Sequence, residues 1–102
     1  MRTFKDLDEL VAAEGSELGP TEWLEISQER VNLFADATDD HQWIHVDPKR
    51  AADGPFGGTI AHGLLTLSLL PLFMHQLYTV GNVTMAINYG YNKVRFITPV
   101  KV

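Results

Sequence analysis

Two short stretches carry the side chains best able to move a proton or hold a negative charge: Asp40-His41-Gln42-Trp43-Ile44-His45 and Gly57-Gly58-Thr59-Ile60-Ala61-His62-Gly63. In the first, Asp40 and His45 flank a polar turn. A carboxylate and an imidazole converging on one water form an acid–base pair, and imidazole exchanges protons readily near neutral pH. The same spacing also suits a plain surface turn in which Asp40 caps Gln42 or Trp43. In the second stretch, a glycine-rich loop runs into an apolar helix. The first N–H groups of a helix lack partners and attract an oxyanion. Gly63 has no side chain to block a ligand there, although a tight loop that merely needs glycine has the same composition.

Other chemistries find less support. His41, His45, Asp40 and Asp47 lie in a turn, without the helical His spacing or the Glu of a zinc pattern, so no metal is expected. His62 reads as a helix-start histidine bonded to the backbone, and His75 as a satisfied or half-buried helix residue. Trp23 and Trp43 read as packing residues. Ser68 lacks the G-x-S-x-G context of a serine nucleophile. There is no phosphate loop, no dinucleotide fingerprint and no cysteine, which excludes a thiol nucleophile or a disulfide.

The elements that must position these residues follow from periodicity and punctuation. Phe4 to Ala13 is a short amphipathic segment, broken by Gly15 and by Gly19-Pro20. Trp23 to Ile26 reads as a short strand. Ser27 is an N-cap, and Val31, Phe34, Ala35 and Ala37 recur at helical spacing until about Thr38. Asp47-Pro48 opens a second, short helix through about Asp53. A long apolar helix is predicted from about Ala61 to Tyr78, kinked near Pro71. Val83, Met85, Ile87, Tyr89 and Tyr91 then alternate as in a strand. Lys93 to Ile97 continues the alternation, and Val100-Lys101-Val102 begins another strand.

With 102 residues, 45% hydrophobic and 21% charged, the chain suits one soluble domain, 1–102. A domain of this size buries only about 60–65% of its unfolded surface, so added chain or a partner would steady it. The net charge of −5 and the lack of a basic stripe argue against nucleic acid. Ile60 to Val80 is almost long enough to cross a bilayer, but His62, Pro71, His75 and Gln76 argue for burial within protein. The polar N-terminus is no signal peptide, and a cytoplasmic location is expected.

Taken together, these segments resemble the MaoC-like dehydratases, also called hydratase 2 or R-specific enoyl-CoA hydratases, and most of all their short single-domain mycobacterial and actinobacterial members. The resemblance runs from about Trp23 to the C-terminus. It is densest from Phe34 to Pro48, resumes in Gly57 to Leu65, and returns in Ile87-Asn88-Tyr89-Gly90-Tyr91-Asn92-Lys93-Val94-Arg95-Phe96. The family pattern is commonly written D-x-N-P-x-H. Asp40 and His45 match its ends, while Gln42 and Trp43 replace Asn-Pro and Asp39 stands where Gly is common. The resemblance implies an α+β hot-dog fold, an antiparallel sheet wrapped around a long apolar helix. It implies hydration of a trans-2-enoyl-CoA, or the reverse dehydration of a 3-hydroxyacyl-CoA. Asp40 and His45 would be catalytic and Gly63 the oxyanion donor, with no cofactor beyond the CoA thioester. A homodimer is implied, with Arg95 or Lys93 available to CoA phosphates or simply exposed. Family members continue further, so the chain is expected to be C-terminally incomplete. A hot-dog thioesterase, and a non-catalytic or partner-dependent subunit that binds acyl thioesters, are the alternatives.

Overall fold

A computed structural model describes residues 1–102. In chain order the elements are β1 (Arg2–Phe4), α1 (Leu7–Ala12), α2 (Gln28–Thr38), α3 (Trp43–Val46), α4 (Pro48–Ala52), α5 (Gly63–Ser68), α6 (Leu70–Leu77) and β2 (Tyr78–Val80). They fall into two compact units. One comprises Met1–Trp23 with Leu70–Val94, the other Leu24–Leu69 with Arg95–Val102.

In the first unit β1 and β2 pair in parallel, with Phe4 opposite Val80. Phe4 is fully buried and meets Tyr78 edge to face, ring centroids 5.9 Å apart. Asp6 caps α1 by accepting from the Glu9 N–H at 2.9 Å, and Glu9 reaches back to the Lys5 N–H at 2.8 Å. Two donors at the helix start are thereby satisfied.

The second unit is built around α2. Ser27 Oγ accepts from the Arg30 N–H at 3.1 Å, as the sequence predicts for an N-cap. The helix stops at Asp39, whose φ of 59° and ψ of 27° are left-handed. Aspartate is one of the few residues besides glycine that visits this region routinely. Val31 and Ala35, one turn apart, are fully buried. Val31 clusters with Ala61 and Leu65, flanked by Ile26, Phe34, Leu69 and Val100. Burying a Val or Leu side chain contributes about 1.5–3 kcal/mol, so this small cluster anchors α5 against α2. Asp47 caps α4 through the Arg50 N–H at 3.2 Å, with Pro48 in the first turn.

Thr59 to Ala61 is held on two sides. Ala61 N–H donates to Val100 O at 2.8 Å and Val102 N–H to Thr59 O at 3.1 Å. Ile60 and Lys101 thus form an antiparallel bridge, the start of the strand predicted at Val100. On the other side Ile60 N–H donates to Ile44 O at 3.0 Å.

Several expectations are corrected. The single helix from Ala61 to Tyr78 is instead two, parted at Leu69. Pro71 has no N–H to give the preceding turn. Leu69 N–H bonds Thr66 O at 3.2 Å, and Ser68 Oγ donates to Leu64 O at 2.7 Å, which closes α5. The residues from Tyr78 join β2 rather than the helix. The segments 83–91 and 93–97 form no strand, and Ile87, Tyr89 and Ile97 are exposed. A strand needs a hydrogen-bonded neighbour, and no segment of this chain supplies one to these residues. The antiparallel sheet around a long helix is accordingly absent here, and the one sheet is the parallel pair β1–β2. Trp23 to Ile26 likewise forms no strand. Trp23 is 100% exposed rather than packed, and His75 is exposed on α6. No helix is long and apolar enough to cross a membrane.

Candidate functional site

The turn after α2 and the short helix α3 bring Asp40 and His45 together. Asp40 directly follows the left-handed Asp39. Its side chain is exposed, and Oδ1 makes only a long contact of 3.4 Å with the Gln42 N–H. His45, on α3, is 7% exposed. Its Nδ1 lies 2.7 Å from Ile60 O. A carbonyl can only accept, so Nδ1 carries the hydrogen, and in the neutral ring Nε2 is left as a proton acceptor.

A third side chain completes the cluster. His62, the residue just before α5, is 3% exposed. Its Nε2 lies 3.0 Å from Asp40 O and, by the same reasoning, donates to it. This bears out its reading as a backbone-bonded histidine. The partner is the main chain of Asp40 itself. The ring stacks on His45, centroids 3.9 Å apart and planes 23° apart, and its neighbour on α2 is Phe34 at 4.8 Å. His62 Nδ1 is buried with no hydrogen-bond partner. Leaving a buried acceptor unpaired costs about 1–3 kcal/mol, so the arrangement is one the fold must hold against a penalty.

Asp40, His45 and His62 each bring a ligand-type atom within 4.8 Å of the others. One carboxylate and two imidazoles are a donor set suited to a divalent transition metal. About a single tetrahedral zinc, however, ligand atoms would stand about 3.3–3.5 Å apart, given zinc–nitrogen distances of about 2.0–2.1 Å. The trio would have to contract to take one. The other residues considered for a metal have different partners. His41 Nε2 pairs with Asp36 at 2.8 Å on the surface, and Asp47 caps α4.

Gln28 supports the cluster from the first turn of α2. Its Nε2 donates to His45 O at 2.7 Å, and its Oε1 accepts from the Thr59 hydroxyl at 2.6 Å. One amide therefore ties α2 to α3 and to the Thr59–Ala61 segment. Sequence reasoning saw Gln28 only as a first-turn residue, and no local pattern marks such a bridge. Trp43 packs its ring against the Arg50 guanidinium, 4.4 Å from the centroid.

Gly63 is the first residue of α5. A Cβ there would meet the Phe96 ring, at 2.5 Å from Cδ2 and 2.6 Å from Cγ. Glycine is thus required by close packing of Phe96, in addition to any use of its N–H. Gly57 has φ +72°, and a Cβ at Gly57 or Gly58 would meet nothing within 4 Å, so the loop before the helix is open. Lys93 and Arg95 are exposed.

Comparison with known proteins bears on this arrangement. The family described as "MaoC like domain" matches residues 9–102. 3-Hydroxyacyl-thioester dehydratase Z of Mycobacterium tuberculosis is 65% identical over 102 residues, which is 100% of this chain and 68% of that protein. Nodulation protein N of Rhizobium meliloti is 52% identical over 108 residues, covering 97% of this chain and 61% of its own. A crystal structure of a protein from Archaeoglobus fulgidus superposes with a TM-score of 0.52 at 21% identity, covering 94% of this chain and 67% of that one. At that identity the likeness concerns the fold.

Proposed function

The chain belongs to the MaoC-like dehydratase family, and from that premise we propose that it is a hydro-lyase interconverting 2-enoyl and 3-hydroxyacyl thioesters. The observation that carries the proposal is the Asp40–His45 pair, with His45 oriented by Ile60 O so that Nε2 is its free acceptor. The name of the mycobacterial relative, identical at 65% of positions, points the same way.

In the hydration direction, water adds its oxygen to C3 and a proton to C2. Asp40 and His45 hold that water between them, remove one proton from it and return a proton to C2. Atoms and charge balance without a redox step. The thioester oxygen gathers negative charge as C3 is attacked, and the Gly63 N–H, unpaired at the start of α5, is assigned to it. In the loop leading to α5, a Cβ at Gly57 or Gly58 would meet nothing within 4 Å.

The finer reading takes CoA as the carrier, the product as the (R)-alcohol, the architecture as a hot-dog sheet around a helix, and the working form as a cytoplasmic homodimer. Family membership supports these points.

The test is to incubate the protein with crotonyl-CoA and follow the enoyl-thioester absorbance, with thiol release measured in parallel. Loss of absorbance without free thiol is expected. Asp40→Asn and His45→Gln should each reduce the rate by about 10²–10⁴-fold at unchanged fold. Near-normal turnover in either variant would refute the assignment, and thiol release would turn the reading to a thioesterase.

A further inference from the structure

The geometry points to His62 as the positioning residue of the Asp40–His45 pair, an inference that rests on the hydration chemistry proposed above. Asp40 lies between α2 and α3, outside any helix, and its carboxylate has only the long 3.4 Å contact with the Gln42 N–H. The 3.0 Å bond from His62 Nε2–H to its carbonyl is the shorter tie and holds the Asp40 main chain in place. The same imidazole lies flat on the His45 ring at 3.9 Å. Phe34 lies against His62 with ring centroids 4.8 Å apart and planes tilted by 55°. One buried ring thus touches both members of the pair, Asp40 by its N–H and His45 by its face.

The hydrogen positions follow from the acceptors. His45 gives its N–H to Ile60 O from Nδ1, and His62 gives its own to Asp40 O from Nε2. The two stacked rings are therefore opposite tautomers. A neutral imidazole has one N–H. With its N–H given to Asp40, the neutral His62 ring has Nδ1 as a bare acceptor, which is buried without a hydrogen-bond partner.

Without the N–H the Asp40 carbonyl loses its tie, and the carboxylate drifts relative to His45. A misplacement of about 1 Å at reacting groups can cost about 10²-fold in rate. His62→Phe keeps a flat ring for the stack but removes the N–H. It should lower kcat by about 10–100-fold while leaving KM within about threefold, since only the alignment of the chemistry is lost. His62→Gln keeps an amide donor and should recover part of that loss.

The experiment is steady-state kinetics on both variants, normalised to folded protein by near-ultraviolet circular dichroism, with nitrogen-15 spectra of the histidine rings in the unaltered chain. The expected spectra show hydrogen on Nδ1 of His45 and on Nε2 of His62. Wild-type kcat in folded His62→Phe, or a loss that merely tracks the unfolded fraction, overturns the inference. So does hydrogen on His62 Nδ1. If His62→Phe does not fold, His62→Gln and the spectra decide. If the unaltered chain shows no hydration, the proposed reaction fails and the spectra alone decide the placement of His62.

Discussion

Replacing Gly63 by alanine isolates one contact at the start of α5. The added methyl would stand 2.5 Å from Phe96 Cδ2, 2.6 Å from Cγ and 2.9 Å from Cε2. Carbon atoms prefer about 3.5–4.0 Å, so the overlap is about 1 Å. Cγ is the root of the ring, and bending its far edge does not relieve the clash. Phe96 must rotate about χ1, and at 53% exposure it has solvent to rotate into. The cost is the strain of overpacking or the contact forfeited by leaving, together about 1–3 kcal/mol. For a chain of this size each kcal/mol lowers Tm by about 4–8 °C. The assay is a double-mutant cycle with Phe96→Ala, read by thermal and denaturant unfolding. With the ring gone the methyl meets open space, and Gly63→Ala should become neutral or stabilising by up to about 1 kcal/mol. The expected interaction energy between the two changes is about 1–3 kcal/mol. Additive effects, with Gly63→Ala costing as much in the Phe96→Ala background, would refute packing as the reason for glycine.

Two further outcomes test the scaffold. Gln28→Ala leaves the buried Thr59 hydroxyl and the His45 carbonyl without their partner and should destabilise by about 1–3 kcal/mol, measured as a shift in the urea midpoint at constant slope. Asp47→Ala removes the cap of α4 and should cost about 1 kcal/mol, with Asp47→Asn recovering most of it in the same unfolding assay.

Features set by neighbours in the chain were legible. Ser27, Asp47-Pro48 and the stop near Thr38 are helix-end chemistry, and each appears where its residues foretell it. Asp40 and His45 also meet, because they are five positions apart, with a two-residue turn and the start of α3 between them. What escaped reading depends on contacts between distant residues. His62 reaches Asp40 across 22 positions, and Gln28 reaches Thr59 across 31. Neither separation has a period that a sequence can display. The segment 83–97 failed for a related reason. Alternation shows which face of a strand prefers burial, but the ladder requires a second strand, and the alternating residues do not specify one. Pro71 correctly marked a disturbance in the apolar helix, but the break came earlier, at Leu69, where main-chain and Ser68 hydrogen bonds close the turn.

The left-handed residue at position 39 has a consequence for how this region tolerates sequence change. Were φ there to revert to a negative, helical value, α2 would gain one residue, with a rise of about 1.5 Å and a rotation of about 100°. Asp40 would be carried around the helix axis by that amount, away from His45. β-branched residues resist positive φ strongly, whereas Gly, Asn and Asp accept it. In a saturation library, position 39 should therefore behave like an active-site position and admit a narrow set of residues, although its side chain is exposed and takes no part in the chemistry. The alignment of Asp40 is written partly in the handedness of its neighbour.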